Sequence, residues 1–312
     1  MSDILFEDET PPPRLAPVVH YAGSEKKLAK ALALQNAMST DEAAFDLTCD
    51  CEDGAPVGQE AAHAKLCARF IASSDNRFGR LGLRIHDRSH PAWQADMDIV
   101  LGEAGDRLAY VVLPKAKGVE DAAATLDHLA ERALQLGIER EIPLHVLIET
   151  HGGLREVARI AALPGVESLE LGLMDFVSSH HGALPLSAMR SPGQFTHPVI
   201  VRAKAEIVAA ALAYGKVPTH NVTVELHDDT LIADDARRAR AFGFLRMWSI
   251  HPAQIAPILH AMLPDAAEIA EAEAILKAAE AAEWGPIRFD GTLHDRASYR
   301  YFRDLLRRTG HR

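Results

Sequence analysis

The chain has 312 residues, 48% apolar and 25% charged, a balance that excludes a disordered chain. Its 33 Lys and Arg against 44 Asp and Glu give a net charge of −11, opposite to the positive footprint that nucleic-acid binding needs. No run approaches about 18 consecutive apolar residues, so no transmembrane helix and no membrane partner is expected.

The first residues, 1–15, are acidic and carry Pro11, Pro12 and Pro13, which cannot sit in a helix interior. They read as a flexible N-terminal arm rather than a signal peptide, which would be basic and then apolar. The three cysteines, Cys49, Cys51 and Cys67, leave an odd number and suggest a reduced, cytoplasmic protein without a disulfide framework.

From residue 16 the chain alternates short β-rich runs with Ala-rich helical stretches. Strands are predicted at 17–21, 44–48, 82–86, 108–113, 144–148, 168–171, 220–224 and 246–250. Helices are predicted at 25–38, 58–73, 119–136, 154–162, 198–214 and 234–242, on apolar residues at three- and four-residue spacing. Strands each followed by a helix predict an α/β fold, a TIM (β/α)8 barrel over 16–264. An open doubly wound sheet competes, but the first turn, HYAGSEKKLAKAL, lacks the GxGxxG of dinucleotide binding. After Pro264 the composition changes to an Ala/Glu helix over 265–283, a Gly285–Pro286 break, a short extended piece and a basic final helix. Residues 265–312 therefore read as a C-terminal helical extension or lid outside the barrel.

Barrel enzymes carry their chemistry at the C-terminal ends of the strands. There the sequence places Asp50, Glu52 and Asp53 in DCEDG, Arg84 in LGLRI, Lys115 in VVLPK, Glu149 in VLIET, Asp175 in GLMDF and His251 in SIHPAQ. Taken singly, each could be a solvated rim residue or a helix cap; their convergence on one face is the signal. Glu149 and Asp175 offer hard oxygen ligands from neighbouring strands, suited to Mg²⁺ or Mn²⁺. His180 and His181 raise a His-bound transition metal as the alternative. Arg84 offers a permanently charged planar fork for a substrate carboxylate. A divalent cation and an arginine aimed at oxygens can stabilise an enolate.

In order along 44–255, FDLTCDCEDG, LRIHD, VLPKAKGVED, LIET, GLMDF and RMWSIHPAQI resemble the HpcH/HpaI aldolase and citrate lyase family, in its citrate lyase β-subunit-like and malyl-CoA lyase branch. The terminal FDGTLHDRASYRYFRDLL resembles the C-terminal segment of that branch. The resemblance implies a Mg²⁺-dependent carbon–carbon lyase acting on a 3-hydroxyacyl-CoA or related small molecule. It also implies homotrimers or hexamers in which the C-terminal segment reaches a neighbour's active site. By position it makes Glu149 and Asp175 the metal ligands, and Arg84 the group that binds substrate and steadies the enolate. Glu52 and Asp53 would hold water on the metal, Lys115 would stand at the mouth against the substrate, and Asp295 would be the acid/base lent by the next subunit.

The sequence departs from the branch in places. The first strand reads LAPVVHYAGSEKK where members carry RSLLFVPG, His86 stands for an Asn, and Met174 stands for an acid. The first departure supports an alternative, a metal-dependent aldolase on a free 2-keto acid such as pyruvate or oxaloacetate, without CoA. An acyl-carrier protein in place of CoA is disfavoured by the −11 charge. A non-catalytic binding subunit is a third reading, against which Arg84, Glu149 and Asp175 all stand intact.

Overall fold

The computed structural model describes residues 11–309. Eight parallel strands close into a barrel in chain order, β1 (Val18–Ala22), β2 (Asp46–Asp50), β3 (Leu81–Arg84), β4 (Val111–Leu113), β5 (Leu144–Ile148), β6 (Val166–Leu171), β7 (Val217–His220) and β8 (Arg246–Ser249). The ring closes where β1 pairs with β8, Val18 opposite Met247 and His20 opposite Ser249. The helices that cover it are α1 (Glu25–Met38), α2 (Glu60–Ala72), α3 (Trp93–Ala104), α4 (Val119–Leu136), α5 (His151–Arg155), α6 (Val157–Ala161), α7 (Leu173–Ser178), α8 (Pro198–Ala213), α9 (Asp229–Ala241) and α10 (Pro252–Met262). This is the TIM barrel that the alternation of elements predicts.

Strand side chains alternate between two layers. Outward residues such as Leu47, Leu83, Val111, Val146 and Leu169 form the main core against the helices. The inward residues are unusually polar. The Glu170 carboxylate, fully buried, accepts from Tyr21 Oη at 2.8 Å and Trp248 Nε1 at 2.8 Å and meets His145 Nδ1 at 3.1 Å. His145 Nε2 meets Glu167 at 2.9 Å, so the ring lies between two carboxylates that raise its pKa against the effect of burial. Lower down, Asp46 takes Arg80 at 2.8 Å and Arg246 at 2.5 Å. Glu170 and Asp46, both fully buried, each have a partner that can carry the opposite charge, as burial requires.

The predicted helices 25–38 and 119–136 and the strand 144–148 coincide with α1, α4 and β5. Helices α3, α7 and α10 are not among the predicted segments, and three predicted segments are displaced or broken. The strand expected at 220–224 is β7, three residues earlier; after His220 the chain leaves the sheet, and the Gln254 side chain takes the Thr223 and Glu225 carbonyls at 2.9 and 2.7 Å. The helix expected at 154–162 is broken at Glu156, whose carboxylate turns to accept Val119 N at 2.9 Å. Helix α9 starts at Asp229, where the Asp228 carboxylate caps Leu231 N at 3.0 Å, rather than at 234.

The C-terminal segment folds as α11 (Ala266–Ala281), the antiparallel hairpin β9 (Ile287–Phe289) and β10 (Thr292–His294), and α12 (Arg296–Arg308). Ile275, Leu276, Ala279 and Tyr299 give it a small core of its own. It is fastened at the base of the barrel, where α9 and α10 end: Arg240 pairs with Glu268 at 2.6 Å, and Arg308 donates to Met262 O at 2.6 Å. Residues 1–10 of the expected arm lie outside the described residues; Arg14, just after them, pairs with Glu42 at 2.9 Å. Among the described residues no helix is long and apolar enough to cross a membrane.

Candidate active site

The inward residues of β2 descend from mouth to base as Asp50, Thr48 and Asp46, and the last of β3 is Arg84. Asp50 takes Arg84 in a two-pronged pair, Nε at 2.7 Å and Nη2 at 2.6 Å. The same carboxylate accepts Glu52 N at 3.0 Å and Gly54 N at 2.9 Å. A Cβ on Gly54 would stand 2.3 Å from Asp50 Oδ2, so only glycine lets this turn close over the carboxylate. Asp50 is therefore saturated; its task is to aim the guanidinium, which also lies over the Tyr21 ring at 5.3 Å. Arg84 Nη1 is 3.0 Å from Glu52 Oε2, yet that oxygen makes no aligned hydrogen bond. The Nη1 edge is thus the part of the fork left for another oxygen.

Lys115 stands at the mouth after β4 with a positive φ of 51°. That strained backbone turns its N–H onto Glu149 Oε1 at 2.7 Å. Its ammonium contacts Glu52 Oε1 and lies 3.4 Å from Asp53 Oδ1. Glu52 is nearly buried and held between Arg84 and Lys115, and Asp53 is exposed.

Glu149 is 3% exposed and, among the described residues, has no cationic side chain paired with it. Burial, and then the charge of Asp175, push its pKa up to about 8. Asp175, in the first turn of α7, is half-buried. Gly172 gives Glu149 its room, because a Cβ there would fall 1.9 Å from Glu149 Oε2. Two acids that repel each other's charge, one desolvated, form an all-oxygen donor set short of positive charge. Such a set fits a hard divalent cation of the Mg²⁺ class.

The barrel thus brings Glu52, Asp53, Arg84, Lys115 and Glu149 together, with Asp175 close enough to perturb Glu149 and Lys115 electrostatically. It does not bring Asp295 to them. That residue is exposed and accepts Ala297 N at 3.0 Å as the cap of α12, in the module fastened at the opposite end of the barrel. His180 donates through Nδ1 to Phe176 O at 2.7 Å, and His181 is exposed. His251 caps α10, accepting Ala253 N at 3.3 Å.

Two contributors have no role assigned from the sequence. The first, Asp50, stands there among the strand-end acids, and is the third inward residue of a period-two strand after Asp46 and Thr48. The second is the pair of His86 Nδ1 with Asp96 at 2.6 Å, which raises the His86 pKa and joins the end of β3 to α3. No helix was predicted at 93–104, and without α3 that pair was invisible.

The sequence model of the HpcH/HpaI aldolase/citrate lyase family matches residues 23–252. The L-malyl-CoA/beta-methylmalyl-CoA lyase of Cereibacter sphaeroides is 32% identical over 242 residues, 73% of this chain and 75% of that protein. The citrate lyase subunit beta-like protein of Deinococcus radiodurans is 28% identical over 267 residues, 82% of this chain and 86% of that one. Among solved structures, a citrate lyase from Burkholderia xenovorans LB400 superposes with a TM-score of 0.90 at 52% identity, covering 98% of this chain and 95% of that one. The CitE protein of Mycobacterium tuberculosis, crystallised with magnesium, acetoacetate and coenzyme A, shares the fold with a TM-score of 0.74 at 24% identity, covering 95% of this chain and 98% of that one.

Proposed function

The chain belongs to the HpcH/HpaI aldolase/citrate lyase family and is a carbon–carbon lyase, and from that premise we propose that it cleaves, or in reverse forms, the C2–C3 bond of a 3-hydroxyacyl-CoA in a Mg²⁺-dependent reaction. The observation that carries the reading is the buried Glu149 beside Asp175, short of positive charge and two strands away from an arginine that Asp50 aims and whose Nη1 edge makes no aligned hydrogen bond with Glu52. Malyl-CoA lyases among the relatives support a CoA thioester as the substrate class.

Glu149 and Asp175 would hold the ion. When bound, Mg²⁺ supplies Lewis-acid polarisation of the substrate oxygens. Arg84, through its Nη1 edge, donates to the carbonyl oxygen on which charge develops as the C–C bond breaks. Asp50 keeps that guanidinium fixed, so little reorganisation accompanies the reaction. Lys115 pairs with Glu52, offsetting part of the burial that raises the Glu52 pKa, and sets a positive charge at the mouth for an anionic substrate. Lys26 and Lys27, exposed at the start of α1 on the same rim, suit CoA phosphates. In cleavage a base removes the hydroxyl proton, the bond electrons pass to the thioester enolate, an aldehyde or keto product leaves, and the enolate carbon is reprotonated. We assign this proton transfer to Asp295 of a neighbouring chain in a trimer or hexamer.

Calorimetric titration with acetyl-CoA, with and without Mg²⁺, tests the reading. Binding that requires Mg²⁺ supports it. Absence of binding in both conditions, with turnover of oxaloacetate instead, would replace it with a free 2-keto-acid aldolase.

A further inference from the structure

The outward face of β2 carries a second cluster, unrelated to the carboxylates on its inward face. Cys49 and Cys51 occupy successive outward positions, and the buried face of α2 presents His63 and Cys67 one turn apart against them. Cys51 Sγ and Cys67 Sγ are 3.8 Å apart. The ligand atoms of Cys51, His63 and Cys67 all lie within 4.8 Å of one another. The three cysteines are at most 1% exposed and His63 is 5% exposed.

Buried cysteines alone need no explanation, since a thiol packs as a small apolar group. An imidazole sealed in with them does. His63 Nε2 lies 2.8 Å from the Asp50 carbonyl, which can only accept, so Nε2 carries the proton and Nδ1 keeps its lone pair. A ring nitrogen fixed by a backbone carbonyl, leaving the other free to ligate, is the usual support for a metal-bound histidine. The spacing fits as well: a tetrahedral zinc with Zn–S bonds of about 2.3 Å places two thiolates about 3.8 Å apart.

We infer that Cys51, Cys67 and His63 form a structural site for one zinc ion between α2 and the turn after β2. Binding converts at least two thiols to thiolates, so about two protons or more leave as one Zn²⁺ enters, and no oxidation or reduction is involved. The ion would tie α2 to the loop after β2. Cys51 lies between Asp50 and Glu52, the two carboxylates that flank Arg84, and its own N–H donates to Arg84 O at 2.9 Å. The site therefore braces the turn that aims the arginine without touching substrate.

The test uses the full-length protein, stripped with a chelator and titrated with zinc alone. One equivalent is expected to bind, with a heat that varies with buffer ionisation as about two released protons require. Cobalt in place of zinc should give the absorption of thiolate-to-metal charge transfer, which imidazole and carboxylate sites at the barrel mouth cannot produce. Cys67→Ser should lose that absorption and weaken zinc binding by about tenfold or more. Should Cys67→Ser fail to fold, the cobalt spectrum of the unsubstituted chain decides. Absence of the charge-transfer band, zinc uptake without proton release, or undiminished uptake by a folded Cys67→Ser chain would each overturn the assignment.

Discussion

Gly172 has no side chain because Glu149 occupies the place where one would begin. Gly172→Ala puts a methyl 1.9 Å from Glu149 Oε2 and 2.6 Å from its Cβ, so the whole carboxyl must swing, not only its tip. Mg²⁺ affinity is expected to fall about 10- to 100-fold, measured by isothermal titration beside Glu149→Gln, which should bind no better than the glycine variant. Unchanged affinity in Gly172→Ala would show that Glu149 is not a ligand. His20 makes a different prediction, about stability. Its ring, buried on the outward face of β1 and 3.0 Å from Ser249 Oγ, has a pKa lowered to about 4 by burial, then by the charges of His251 and Lys27. The unfolded chain takes up a proton below 6.5 that the folded chain refuses until about 4. Stability is therefore intact above that window and falls as pH drops through it, by about 3 kcal/mol for this residue. Denaturant titrations from pH 7 to 4 should show a shallower slope for His20→Gln. Some slope should remain, because burial holds His220 well below the usual imidazole range too.

The pairing of β2 with β3, Asp50 opposite Arg84, is the element-scale feature on which the site depends. Lysine at position 84 keeps the charge but cannot make the two-pronged pair with Asp50 while offering a free donor edge. Arg84→Lys is expected to lower kcat/KM by about 100-fold or more, with Mg²⁺ affinity unchanged, since neither Glu149 nor Asp175 pairs with the guanidinium. A loss of both together would mean that the arginine holds the metal site in shape. How much of this was legible follows the same division. Long amphipathic stretches declared themselves, as in α1 and α4, and so did the continuous apolar run of β5. The segment 220–224 misled, because Val222 and Val224 carry β propensity while β7 itself contains Pro218 and a buried His220. The mouth residues could be found because strand ends in a barrel are a known place to look. The thiol–imidazole cluster could not, since it exists only once α2 lies on the outer face of β2. No spacing in the sequence encodes that rotation.

At the scale of the whole molecule, the mouth and the C-terminal module occupy opposite ends of the barrel. An Asp295 that serves catalysis must then serve another copy of the chain. Asp295→Asn and Arg84→Ala proteins, each inactive alone, should regain partial activity when mixed and allowed to exchange subunits, read as turnover against mixing ratio. No recovery despite proven exchange would confine Asp295 to capping α12. The arrangement also has a consequence for how the protein responds to dilution. A base that meets a neighbour's mouth is a head-to-tail contact, which joins two unlike patches and completes itself only when the ring closes. On the proposed sharing of Asp295, a closed ring would give every subunit a lender, whereas an opened fragment would have one terminal mouth with none and a lone chain no complete site. With such a ring, specific activity should fall as the protein is diluted through its dissociation range, before any subunit unfolds; activity independent of concentration would count against the shared site.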